Sequence, residues 1–131
     1  MKRRAEAAKL LGEIGDPRAI QPLSGRLEDE EQEVRLYSAL SLLEICDDKD
    51  EIKRAIPELI AGLDMSDWYT RALCADALCE LNSVATPYIE NALDEKTVVN
   101  CRGEKITLSE RAVESLTAII RRLKNRLNQE V

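Results

Sequence analysis

Arg35-Leu36-Tyr37-Ser38-Ala39-Leu40-Ser41-Leu42-Leu43-Glu44-Ile45 is a phrase that this chain writes three times, with changes. Thirty-one residues earlier the matching places hold Arg4, Ala8, Leu11, Glu13 and Ile14; thirty-six residues later they hold Arg71, Ala75, Leu78, Glu80 and Leu81. Five positions kept in step across three copies amount to self-similarity, and self-similarity at this period marks a stacked-repeat architecture.

Working outward, Ala5, Ala8, Leu11 and Ile14 recur every three residues and describe a first helix over residues 2–14. Gly15-Asp16-Pro17 closes it and opens the next. Gly15 tolerates a left-handed cap, Asp16 can accept from free amides, and Pro17 suits a first helical position. A second helix then runs to Leu27, with Ile20, Leu23 and Leu27 on one side. Glu28 to Glu31 form an acidic turn whose charges suit the N-terminus of the third helix, the quoted stretch. Beyond it, residues 47–50 read as a polar connection. The fourth helix, Glu51 to Leu63, repeats the second at an offset of 36, with Ala55, Ile56, Leu59 and Leu63 in the apolar places. The fifth, Asp67 to Leu81, repeats the third, capped by Ser66 or Asp67, and a sixth lies near Val84 to Leu93. A repeat step that lengthens from 31 to 36 puts five additional residues in the junction at 46–50, outside the packed seam. Pro57 and Pro87 are expected inside their helices, bending both at matching points.

After Leu93 the rhythm breaks. In the connection 94–106, Val98-Val99 and Ile106 flank Asn100-Cys101-Arg102-Gly103 and admit a short hairpin. A last helix over 107–128 carries Leu108, Ala112, Leu116, Ile119, Ile120, Leu123 and Leu127 on one face, and Arg121, Arg122, Lys124 and Arg126 on the other. Thr107 and Glu110 have capping-box spacing. One apolar and one charged side suit a C-terminal lid. The expectation is a single all-α domain. It is a right-handed α-α superhelix of about three helical hairpins over residues 3–93, with a loop at 94–106 and a capping helix at 107–128.

Composition agrees with close-packed helices: 44% of the 131 residues are apolar and 34% charged, with no Phe. The formal charge is −6, which repels phosphate backbones, so nucleic acid is not the expected partner. No apolar run reaches the roughly 18 residues of a membrane span. Met1-Lys2-Arg3-Arg4 is basic without a following apolar stretch, so no signal peptide is read. Four irregularly spaced cysteines fit reduced thiols and a cytoplasmic location.

Gly12-Glu13-Ile14-Gly15-Asp16-Pro17-Arg18-Ala19-Ile20, followed by Leu23, Leu27 and Val34-Arg35, resembles the short HEAT-like repeat of the phycobilisome-lyase type. The resemblance covers residues 3–93, and the third copy departs from it with Trp68-Tyr69-Thr70 ahead of Arg71. It implies stacked hairpins of outer and inner helices, with Asp16 and Pro17 shaping the turn. It also implies that Arg35 and Arg71 pair with turn acids among Glu28, Asp29, Asp64 and Asp67, a structural role.

No catalytic constellation is read. The chain has no histidine, so neither the paired His-Glu iron sites of some HEAT-repeat enzymes nor a histidine base can be built. Cys74 and Cys79 lie ~140° apart around one helix and cannot share a metal. No metal or cofactor is expected, and Cys101, in the loop, is read as the most reactive thiol. Binding falls to the inner-helix face, where Tyr37, Ser41 and Glu44 correspond to Leu10 and Glu13 in the first copy and to Leu73, Ala77 and Glu80 in the third. Apolar anchors beside the ladder Glu13, Glu44 and Glu80 suit a basic or amphipathic peptide or protein, with Tyr37 as the hot spot. The basic ends, Lys2 to Arg4 and Arg121 to Arg126, read as solubilising caps. The function expected is a protein–protein adaptor, monomeric or weakly dimeric through the Ala-rich first helix (Ala5, Ala8). The alternative is an accessory subunit of a lyase-type enzyme with no active site of its own.

Overall fold

The computed structural model describes residues 2–129 and places seven α-helices in them. They are α1 (Lys2–Ile14), α2 (Ile20–Arg26), α3 (Gln32–Ile45), α4 (Lys49–Ala61), α5 (Trp68–Glu80), α6 (Thr86–Glu95) and α7 (Glu110–Gln129). An antiparallel hairpin, β1 (Thr97–Val99) and β2 (Lys105–Thr107), stands between α6 and α7 with Val98 opposite Ile106. The architecture is all-α in every other respect.

Local chemistry sets the breaks. Gly15, at φ +75°, ends α1, and Asp16 Oδ1 accepts from the Arg18 amide at 2.9 Å while Pro17 opens a short 3-10 turn into α2. Asp48 and Asp67 repeat the device at α4 and α5, accepting from the amides of Asp50 and Tyr69. In the third copy Asn82, at φ +51°, takes the left-handed place held by Gly15. In the second copy Cys46 is extended there (φ −109°, ψ 131°), and α4 begins at Lys49. Four of the five additional residues therefore lengthen α4 at its start, and one enlarges the junction.

Two expected features are corrected. Pro57 lies inside α4, but Pro87 sits in the first turn of α6, where a missing amide costs no helical hydrogen bond. Thr107 ends β2, and α7 is capped by Ser109, whose Oγ accepts from the Ala112 amide at 3.2 Å. Asp64 steadies that cap, accepting from the Ser109 amide at 3.1 Å and from its hydroxyl.

Packing alternates along the chain. α3 packs on α1, α2 and α4; α5 packs on α4 and α7; and α6 packs on α7. This makes an inner row of α1, α3, α5 and α7 and an outer row of α2, α4 and α6. Leu23, Leu36, Leu42, Ile56, Leu59, Leu78, Ile89 and Leu116 form the seam, each at most 1% exposed. Each such burial stabilises by about 1.5–3 kcal/mol. Ala5 and Ala8 point into α3 and are buried, so the side of α1 that faces away from the stack is Ala7, Leu10 and Ile14 instead.

Among the described residues Arg35 and Arg71 form no close ion pair with the turn carboxylates, although the Arg71 charge, after hydrogen bonds from Thr70 and Tyr69, helps hold the Asp67 carboxyl below the usual range. Arg35 Nη1 donates to the carbonyls of Asp29 (2.8 Å) and Glu30 (3.2 Å), and Arg71 Nη1 donates to those of Met65 and Ser66 (2.8 Å each). The two guanidiniums thus fasten equivalent turns through backbone oxygens, and the Asp29 carboxylate goes to Arg4 (3.0 and 3.2 Å). The carboxylate partner of Arg35 is Glu58 of α4, at 3.2 Å.

Candidate functional site

The inner faces of α1, α3 and α5 enclose an open cleft of about 610 Å³. α1 and α3 are drawn together because Gly12 has no side chain where it meets Ser41, and Ser41 Oγ donates to the Ala8 carbonyl at 2.6 Å. α3 and α5 stand further apart at that level, and the space between them is the cleft.

Seven of the eight residues expected on the binding face line it: Glu13, Tyr37, Ser41, Glu44, Leu73, Ala77 and Glu80. Leu10 is 54% exposed but lies outside it, on the free side of α1. Ser41 is only 4% exposed, and its hydroxyl is committed to α1, so it forms the floor and offers no group to a ligand. Tyr37, Leu73 and Ala77 are half-buried; Glu13, Glu44 and Glu80 are exposed.

Sequence reasoning missed Lys9, Gly12, Leu40, Leu43, Tyr69 and Asp76, which complete the lining. Leu43, beside the fully buried Leu42 on α3, is half-buried and walls the cleft. The signal for Tyr69 was present: the third copy replaces the expected valine turn with Trp68-Tyr69-Thr70. Thr70 is buried in the place of Val34, and its hydroxyl donates to Asp67 at 2.8 Å. That leaves Trp68 and Tyr69 outward, 69% and 52% exposed, their rings edge-on at 6.1 Å. They are the two exposed aromatics among the exposed large apolar side chains of the described residues.

The other candidates resolve differently. Against the expectation of a reactive loop thiol, burial and then the nearby Glu58 charge push Cys101 up to about 12. Burial likewise pushes Cys74 up to about 12. The basic ends are partly structural. Arg4 holds Asp29, and Arg126 Nη1 donates to the Cys79 carbonyl and Asn82 Oδ1 (3.0 Å each) at the end of α5. Among the described residues, no group of three or more Cys, Asp or Glu is placed to hold a metal ion, and no helix is long and apolar enough to cross a membrane.

A family model described as HEAT repeats matches residues 2–79, the segment from α1 through α5 that builds the cleft. No curated protein matches the chain.

Proposed function

The chain belongs to the HEAT-repeat family, and from that premise we propose that it is an interaction scaffold that holds a partner polypeptide in the cleft of α1, α3 and α5. One observation carries this reading. Side chains from three separate copies of one repeat, Glu13, Tyr37 with Glu44, and Leu73 with Glu80, converge on a single concavity. Half-buried apolar side chains bordered at one end by solvated carboxylates have the composition of a docking surface, an anchor region beside a polar margin. The cleft contains no histidine, cysteine or metal-ligating cluster to suggest chemistry beyond binding. The test is capture from native extract. The immobilised chain should retain a partner that the Tyr37→Ala, Leu73→Ala, Glu44→Lys variant releases, with far-UV circular dichroism unchanged. Equal retention by that variant would move the docking surface elsewhere.

A further inference from the structure

The cleft is chemically lopsided. Glu13 and Glu44 are the penultimate residues of α1 and α3, and Glu80 is the last residue of α5. None of these helices has a basic residue in its last turn. Exposed carbonyls at a helix C-terminus carry partial negative charge and favour Lys or Arg there by about 0.3–1 kcal/mol. Three copies therefore repeat a placement that works against the helix bearing it, and such local conflicts concentrate where function overrides stability. With Asp76, the lining sets four carboxylates against one ammonium, Lys9. Among the described residues no ion pair engages Glu13, Glu44, Asp76 or Glu80.

The other end of the cleft is apolar. Tyr37 and Leu73 stand in the second turns of α3 and α5, and Tyr69 opens α5 beside Trp68. At ~1.5 Å per residue, the path from Tyr37 to Glu44 is ~10 Å and that from Tyr69 to Glu80 is ~16 Å. Two to three turns of an added helix span this interval.

We propose, resting on the scaffold reading above, that the occupant is an amphipathic helical segment of a partner protein. A large apolar side chain seats among Tyr37, Tyr69 and Leu73, and Lys or Arg two to three turns away meets Glu13, Glu44 and Glu80. The carbonyl ends of α1, α3 and α5 add to the field at the cationic end, and the cationic side chains supply the counter-charge those ends lack.

The experiment uses three synthetic peptides of one helical design, without Trp: Leu with Lys, Leu with Gln, and Leu with Glu. Binding is read from the emission of Trp68, the chain's single tryptophan, and from anisotropy of labelled peptide. The Lys peptide should bind saturably and blue-shift the emission, roughly tenfold tighter than the Gln peptide, while the Glu peptide should not saturate. In the Glu13→Gln, Glu44→Gln, Glu80→Gln variant the Lys and Gln peptides should become equal, although the variant melts at the same or a higher temperature. Tyr37→Ala should weaken both. Equal affinities in the wild type, with Tyr37→Ala still weakening binding, would overturn the cationic occupant and leave the scaffold reading standing. A Lys preference that survives the triple Gln variant would assign the effect to the chain's overall negative charge and overturn the proposal. Failure of every peptide to saturate would overturn both readings of the cleft.

Discussion

A carboxylate removed from water must be matched, and Glu58 is the severest case among the described residues. At 1% exposure it accepts from Arg35 Nε (3.2 Å) and from the Cys101 amide (2.9 Å), and Arg35 is itself 5% exposed. Removing one member of such a pair strands the other charge, at a cost of about 3–5 kcal/mol. Arg35→Met should therefore lower the unfolding free energy in urea by that amount, and adding Glu58→Leu should restore most of it. A single-variant loss below ~1 kcal/mol, the range of an exposed pair, would show that the pair is not desolvated. Burial beside this pair, and then the Glu58 charge, push the Cys101 thiol, which donates to the Arg54 carbonyl at 3.2 Å, up to about 12. At pH 8 a disulfide reagent should modify Cys101 at least roughly a hundredfold more slowly than a free cysteine; labelling at the free-thiol rate, mapped by mass, would mean the tip is not docked. The sequence reads Cys101 as reactive because it places it in a loop. Its shields, Arg54 and Glu58, lie 47 and 43 residues away, and nothing local announces them. Tyr37, Glu44, Leu73 and Glu80 were legible because repeat register alone carries them to the same side of equivalent helices.

Helix starts with an acidic cap were legible for the same local reason: Asp16 and Asp67 act on amides two residues on, within the window a sequence displays. The additional turn of α4 and the position of Pro87 depend on where neighbouring helices stop, so pattern alone misplaced both. Close approach between elements was equally hidden, and it separates two glycines that look alike. A Cβ on Gly12 would come within 2.9 Å of the Ser41 backbone, whereas one on Gly25, in α2, meets nothing within 4 Å. Gly12→Ala should destabilise by about 1–3 kcal/mol despite alanine's better helix propensity. Gly25→Ala should stabilise by about 0.4–1 kcal/mol. Urea midpoints shifting in the same direction would refute this account of the α1–α3 contact. The turn ahead of α3 adds a pH dependence. Burial would raise the Asp29 carboxyl, but the Glu31 amide (2.9 Å) and the Arg4 guanidinium outweigh it and hold it below the usual range. A carboxylate depressed in the folded state contributes stability above its unfolded value, about 3.9, and loses it as pH falls through the lower folded value. Asp29→Asn should therefore cost stability at pH 7 and progressively less as the pH falls below 4. A penalty of constant size across that range would mean the charge of Asp29 does not contribute.

In a stack of repeats each hairpin touches only its neighbours, so stability is a sum of local terms and the ends can unfold alone. The tip of the β-hairpin breaks that rule. Asn100 Oδ1 accepts from the amides of Arg102 and Glu104 (2.9 Å each) and so shapes the tip. From there the Cys101 amide reaches Glu58 on α4, and Arg102 Nη1 reaches the Glu28 carbonyl (3.4 Å), 74 residues away in the turn ahead of α3. A segment near the C-terminus thereby grips the turn that Arg35 fastens from inside, and couples the first hairpin to the last. Replacing residues 100–104 with a two-residue Asn-Gly turn preserves the pairing of Val99 with Lys105 and removes these ties together with the bond from the Cys101 thiol to the Arg54 carbonyl. In the intact chain, Trp68 emission and far-UV circular dichroism should report one coincident urea transition. In the shortened chain the two should separate, and hydrogen exchange should show α1 to α3 opening at lower free energy than α5 to α7. Coincident transitions in the shortened chain would mean that neighbour contacts alone carry the cooperativity. If the transitions do separate, the hairpin also sets the rigidity of the cleft, since α3 forms its central wall and is held at one end through Arg35 by the turn the hairpin grips.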